Sequence, residues 1–350
     1  MTALRFVVPA RAAGPSGGDV FDARLAGAWQ AAHGPVEVRA LPGPWPRPGP
    51  AGREALGRAL GTSGTVVLDG LVGSACPEEV TTAVAQGTRV VLLVHLPLPA
   101  EAGLAPEEAD RLAALEARTV SAASDVVTTS RWAADDLTRR YGRADVLVVE
   151  PGAERGALAT GSRPPHLLVL GALTRVKNHA VLVPSLDAVR DLPWHATFAG
   201  PAGAQPDVAE ELAASLAAAG LADRVTLPGV VTGDPLEVLW HHTDLLLVPS
   251  LVETYGLVVA EALAHGVPAV VAAGTGAVEA LAGRPGPLAG DAPGTAVPPT
   301  DPRAWAGVLR RWLTDAEQRA TWRAAALERR DRLRTWADTA ADLRRGLGLG

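Results

Sequence analysis

The chain has 350 residues, of which 48% are apolar and 20% charged, and its formal net charge is −6. That length exceeds one compact core and fits two domains, while the apolar share excludes a disordered chain and the acidic balance excludes the basic face that nucleic acid demands. The single cysteine, Cys76, excludes a disulfide framework or a cysteine metal cluster and fits a cytoplasmic location.

In chain order, the opening run Met1-Thr-Ala-Leu-Arg-Phe-Val-Val8 is too short in apolar residues for a signal peptide and reads as a buried first strand. Further Val/Leu-rich strands are expected at residues 4–8, 36–40, 65–69, 89–94, 125–128 and 145–149. A second series is expected at 166–170, 195–199, 225–227, 245–248 and 269–272. Ala-, Leu- and Arg-rich helical stretches separate them, the pattern of parallel sheets covered on both faces. The Gly/Pro-containing connector from Glu150-Pro151-Gly152 to Pro165 suits a hinge. The reading is α/β, with Rossmann-like domains at 1–152 and 153–330 and a terminal helical segment at 331–350. Eleven arginines against six acids between Arg303 and Arg345 read as a solvated helix face. The loop at 42–50, rich in proline around Trp45, reads as a rigid surface loop or as a peripheral membrane or acceptor contact. No uncharged apolar run reaches spanning length.

Open parallel sheets bind ligands beyond the carboxyl ends of their strands, so two facing sheets would frame a cleft. Five strand ends therefore matter. The stretch Gly14-Pro-Ser-Gly17-Gly18-Asp19 follows the first strand, opens a helix at 20–32 and allows close backbone approach to a phosphate or sugar. Asp69 either contacts an acceptor or serves an Asp-Gly turn. His95 ends the strand at 89–94, before Leu96-Pro97 stops regular structure. Lys177 is the only lysine among thirty-two basic residues; it follows the turn Gly171-Ala-Leu-Thr174 and opens a helix at 178–189. A compact ammonium is not replaced by the larger planar guanidinium where a phosphate oxygen must be approached. His241, His242 and His265 lie outside metal-ligand spacing and read as structural.

The most specific stretch is Glu253-Thr-Tyr-Gly-Leu-Val-Val-Ala-Glu261, which follows the apolar strand at 245–248. Its helix begins near Gly256 and Leu257, where unpaired N–H groups and the helix dipole favour a diphosphate. Glu253 precedes the first turn and Glu261 sits about two turns in, so they bracket a ligand rather than form a rung. Carboxylates hold vicinal sugar hydroxyls well.

With Pro249-Ser250, Tyr255-Gly256 and the Gly266-Val-Pro268 continuation, this stretch resembles the paired-glutamate signature of the retaining GT-B-fold glycosyltransferases of family 4. The resemblance implies a GT-B fold, with both Rossmann-like domains facing a central cleft and the C-terminal helix, anchored by Trp336, returning to the first domain. It implies an acceptor-binding first domain, a nucleotide-sugar-binding second domain, and a hexose moved from a nucleoside-diphosphate sugar, a UDP-sugar by preference. Lys177 then takes the place of the family's phosphate-binding lysine. Glu253 and Thr254 to Leu257 face the donor sugar and diphosphate, Glu261 faces the ribose, and a turn at Gly229 faces the base. Gly17 and Gly18 face the diphosphate and acceptor, and His95 the transferred sugar. The family often has an arginine where Ala172 stands, so either Arg175 supplies that charge or the phosphates have one partner fewer.

No Asp-x-Asp pair occurs, so neither a metal nor another cofactor is expected on the diphosphate. The implied partners are a nucleotide sugar and a small-molecule or glycan acceptor, and the implied chemistry is same-face attack with retention. A GT-B-fold nucleotide-sugar epimerase is the alternative. A dehydrogenase is disfavoured because Gly14 to Asp19 lacks the Gly-x-Gly-x-x-Gly spacing.

Overall fold

The computed structural model describes every residue except 1–3, 11–15, 102, 203–204, 287 and 350. Gly14 of the expected glycine-rich turn therefore lies outside the described residues. The chain divides into two compact units, one of Met1–Gly152 with Arg334–Gly350 and one of Ala153–Leu333.

The first unit holds six parallel strands, β1 (Leu4–Pro9), β2 (Val36–Leu41), β3 (Gly64–Asp69), β4 (Thr88–Val94), β5 (Asp125–Thr128) and β6 (Leu147–Val148), in the order β2-β1-β3-β4-β5-β6. Val7, Val66, Leu68, Val90, Leu92 and Val94 alternate onto one core face, while Phe6, Val67, Val91 and Leu93 are buried as well. This two-sided burial is why the strands read as continuous apolar runs. The expected strand at 145–149 shortens to Leu147–Val148 as a sheet-edge strand.

The C-terminal helix Trp336–Gly346 belongs to this first unit. Trp336 meets Phe21 edge-on at 5.6 Å, Thr339 Oγ1 donates to the Glu150 carbonyl and Arg89 donates to that of Leu347. Trp45 spends its indole N–H on the Leu41 carbonyl at 2.9 Å and packs on the core. That anchoring favours the rigid-loop reading over a membrane contact. Among the described residues, no helix is long and apolar enough to cross a membrane.

The second unit holds β7 (His166–Leu170), β8 (His195–Ala199), β9 (Val225–Gly229), β10 (Leu245–Val248), β11 (Ala269–Ala272) and β12 (Gly294–Val297), all parallel, in the order β12-β11-β10-β7-β8-β9. Leu167, Val169, Leu245 and Leu247 enter the core under Trp305 and Trp312. Leu168, Leu246, Val248 and Val271 enter the opposite core beside Tyr255 and Val259. Each such side chain, when fully buried, contributes roughly 1.5–3 kcal/mol. The sequence reading missed β12, whose Gly-Thr-Ala-Val composition lacks an apolar run.

Two further expectations are corrected. The helix expected at 178–189 is interrupted: Asn178 takes φ 54°, and a short 3-10 turn leads to Leu182–Asp187. The first helix starts earlier than residue 20, at Gly17–His33, because Ser16 and Asp19 close a capping box around its first turn.

Candidate functional site

In the second unit the site forms at the carboxyl ends of β7 and β10. β10 runs into Pro249 and Ser250, and the chain turns through Glu253 to Gly256, where φ is 87°, a left-handed value glycine adopts without strain. The helix Leu257–Ala264 follows, and its N-cap, Gly256, has no side chain to close over the first N–H groups, so the positive end of the helix faces the turn. Gly276 locks this turn from behind. Its N–H donates to the Glu253 carbonyl at 2.6 Å, and a Cβ there would stand 2.0 Å from the Thr254 carbonyl oxygen.

Lys177 arrives from the turn after β7. Asn178, held left-handed, donates its side-chain amide to the carbonyls of Pro249 and Pro299, and the Leu251 N–H donates to Val176. These ties staple the lysine segment to the loop that carries Glu253. The result is a 2.6 Å hydrogen-bonded ion pair from Lys177 Nζ to Glu253 Oε2, the same oxygen accepting from Ser250 Oγ at 3.2 Å. Two residues seventy-six positions apart thus meet as charge partners. Beneath them lies a cavity of about 20 Å³ lined by Gly171, Lys177, His179, Ser250 and Glu253, among others. Burial, with the Lys177 charge added, pushes the His179 imidazole down to about 4, so it is neutral at pH 7.

The other expected donor residues divide. Leu257 opens that helix and Glu261 lies half-buried in its second turn. Gly229 ends β9 with φ 77° and accepts the Gly200 N–H. Thr254 forms the backbone wall against Gly276. Tyr255 departs from the expectation of a ligand contact, because only 6% of it is exposed and it packs into the core; it positions the turn. Arg175 is committed elsewhere: its guanidinium pairs with Asp207 and Glu211 across exposed surface. In this structure Lys177 lines the cavity and Arg175 does not. Ser250, Asn178 and Gly276 carry structural roles that the sequence reading did not assign.

His265, expected to be structural, stacks on Trp240 at 5.3 Å and bonds the Ala157 carbonyl. His241 contacts Thr160. Neither lines the cavity.

In the first unit, Gly17 and Gly18 form the first turn of a helix rather than a loop. Gly18 is required by proximity: a Cβ would meet His95 Cδ2 at 2.9 Å. The His95 ring also lies edge-on to Phe21 at 5.2 Å. Its Nε2 bonds Asp22 Oδ1 at 2.9 Å and lies 3.7 Å from Asp69 Oδ2. Asp69 ends β3 and caps the next turn through the Leu71 N–H at 2.6 Å. Burial, followed by the Asp22 charge, raises its carboxyl to about 7. Burial disfavours charge on His95 too, yet Asp22 and Asp69 outweigh it and raise its pKa. No other trio of His, Cys, Asp or Glu among the described residues lies as close together. The 2.9 Å contact is a hydrogen-bond length, so a proton occupies that line. Sequence reading missed Asp22, although its spacing of four from Gly18 puts both on one helix face.

The profile of the family described as Glycosyl transferases group 1 matches residues 150–329. The D-inositol 3-phosphate glycosyltransferase of Salinispora tropica is 33% identical over 270 residues, covering 69% of this chain and 54% of that protein. The enzyme of the same name from Stackebrandtia nassauensis is 34% identical over 241 residues, covering 66% and 52%. The chain thus spans about half the length of these curated relatives. Among solved structures, sucrose-phosphate synthase from Thermosynechococcus elongatus superposes with a TM-score of 0.79 at 19% identity, covering 99% of this chain and 100% of that one. Anabaena HepE in complex with UDP-glucose superposes at 0.76 and 18% identity, covering 99% and 100%. These likenesses show the two-domain α/β fold of GT-B proteins, and transferases among the relatives give no support to the epimerase reading. With half its length under that profile and both six-stranded parallel sheets in place, the chain belongs to the glycosyl transferases group 1 family.

Proposed function

We propose that the chain is a retaining, metal-independent glycosyltransferase of family 4 that moves a hexose from a UDP-sugar to a hydroxyl acceptor. The observation that carries this reading is the Lys177–Glu253 pair at 2.6 Å beside the N-terminus of Leu257–Ala264. An ammonium and a helix N-terminus together suit a departing diphosphate, and a carboxylate beside them suits sugar hydroxyls.

In this scheme Lys177 Nζ and the N–H groups near Gly256 and Leu257 take the charge that grows on the leaving diphosphate. Glu253 orients the hexose, Glu261 the ribose, and the Gly229 turn the base. The Lys177 ammonium must leave Glu253 in part to meet the phosphate, so the pair holds the lysine in place until donor binds. Same-face attack passes the acceptor proton to the leaving phosphate oxygen, and no separate base is required. Gly17, Gly18 and His95 serve the acceptor and the transferred sugar. UDP-glucose bound to HepE and the inositol phosphate in the relatives' names support a panel of UDP-hexoses with cyclitol phosphates among the acceptors.

The test is product formation across that panel, with NMR of the product anomer and a control with donor alone. Transfer with retention in the presence of EDTA is expected. An inverted product, or an isomerised nucleotide sugar formed from donor alone, would contradict the proposal.

A further inference from the structure

Two buried carboxylates and an imidazole meet where β3, β4 and the Gly17–His33 helix converge. Asp69 and Leu93 are register partners on neighbouring strands, which brings the β3 end next to His95, and the helix lowers Asp22 onto both. Asp22 is 5% exposed, Asp69 2%, and the His95 side chain 18%. Asp22 Oδ1 bonds the ring, whereas Asp22 Oδ2 is buried without a hydrogen-bond partner. Asp69 uses Oδ1 on the Leu71 N–H and turns Oδ2 toward the ring at 3.7 Å. Adjacent buried carboxylates repel unless a proton lies between them. Ligand atoms of Asp22, Asp69 and His95 lie within 4.8 Å of one another, so a proton on Asp69 would serve the orphaned Asp22 oxygen as well. Asp19, in the first turn of the same helix, is the remaining charge that acts on His95.

We propose that Asp22 and Asp69 share one proton and hold His95 by Nε2, which makes Asp22 a positioning residue that leaves Nδ1 as the ring nitrogen able to face a substrate. Gly18 and Phe21 fix the plane of the ring, and Asp22 fixes its rotation and its tautomer. The shared proton keeps the trio from carrying two buried negative charges, and burial with the Asp22 charge places its loss near neutrality. The inference rests on the proposed role of His95 in transfer, so its test reads the ring separately from turnover.

Long-range ¹⁵N NMR of the histidines in the full chain, assigned with His95→Gln, reports both tautomer and titration. In the wild type, His95 carries its proton on Nε2 and titrates later than an unpaired histidine. Asp22→Asn is expected to lower its midpoint by at least one unit and to mix the tautomers. Asp69→Asn retains the Nε2–H pattern and removes the step near neutrality. In parallel, Asp22→Asn lowers kcat about tenfold to a hundredfold and displaces the pH profile, with KM for the donor nearly constant. An unchanged His95 spectrum in Asp22→Asn overturns the cluster. So does stoichiometric Zn²⁺ binding that Asp22→Asn abolishes, because a cation then replaces the proton. A spectrum that moves while turnover does not would leave the cluster standing and remove His95 from the reaction.

Discussion

Replacing Lys177 with alanine tests the donor site most directly. At 2.6 Å, the gross attraction between Lys177 and Glu253 is about 6 kcal/mol for an effective dielectric near 20. Desolvation offsets most of that, since the Glu253 side chain is only 13% exposed and that of Lys177 31%. Lys177→Ala leaves Glu253 with Ser250 Oγ as its side-chain partner, and the fold is expected to lose about 1–3 kcal/mol. Loss of a charge-assisted bond to a phosphate weakens UDP binding by roughly tenfold to a hundredfold. Turnover falls further, by about two to three powers of ten, if, as proposed, the lysine meets charge that grows in the transition state. Glu253→Gln separates the two effects. It releases the lysine, so UDP binds at least as tightly as to the wild type, while transfer falls because the hexose is no longer oriented. Calorimetry with UDP and product formation from donor and acceptor, run beside circular dichroism, measure all three. A turnover loss below tenfold in a folded Lys177→Ala protein would refute the reasoning, as would a Glu253→Gln protein that loses UDP affinity as severely as Lys177→Ala.

Three other outcomes are expected. Gly276→Ala places a methyl 2.0 Å from the Thr254 carbonyl oxygen, so the Glu253 turn must move; UDP affinity and melting temperature both drop, whereas Gly274→Ala, which meets no neighbour within 4 Å but has positive φ, lowers stability more than affinity. Burial holds His166 and His179 down at about 4, so the native state binds fewer protons than the unfolded chain between pH 6.5 and 4. Stability is therefore lost as pH falls through that window, by up to about 3 kcal/mol per histidine, and His166→Gln flattens the profile seen in thermal melts at pH 7 and 5. Trp336→Ala removes the ring that covers Phe21 and, because Trp336 is only partly buried, costs the first unit about 1–2 kcal/mol; amides of β1 and β3 should exchange faster by mass spectrometry while those of β10 and β11 do not.

The parts of the fold and site legible in the sequence share one property: their signal is local. Strands such as Leu245–Val248 announce themselves because both faces are buried. Glu253, Gly256 and Glu261 lie in one continuous stretch, and Lys177 stands out against thirty-one arginines. What was hidden depends on distant residues. Asp22 looks like any helix-surface acid until β3 and β4 bring Asp69 and His95 beneath it. Arg175 looks available until Asp207 and Glu211 claim it. The interruption at Asn178 follows from two carbonyls, of Pro249 and Pro299, that hold its side chain. Gly17 and Gly18 read as loop because glycine weakens helices, yet the Ser16–Asp19 box starts the helix ahead of them.

The chain leaves the first unit at Gly152 and re-enters it at Arg334. A ribosome therefore finishes the whole second unit before Trp336 exists. Until then Phe21 lacks its cover and Arg89 lacks the Leu347 carbonyl. Newly made residues before 152 stay sticky longer than those after it, and a chaperone that grips apolar nascent polypeptide would dwell on the older half of the molecule.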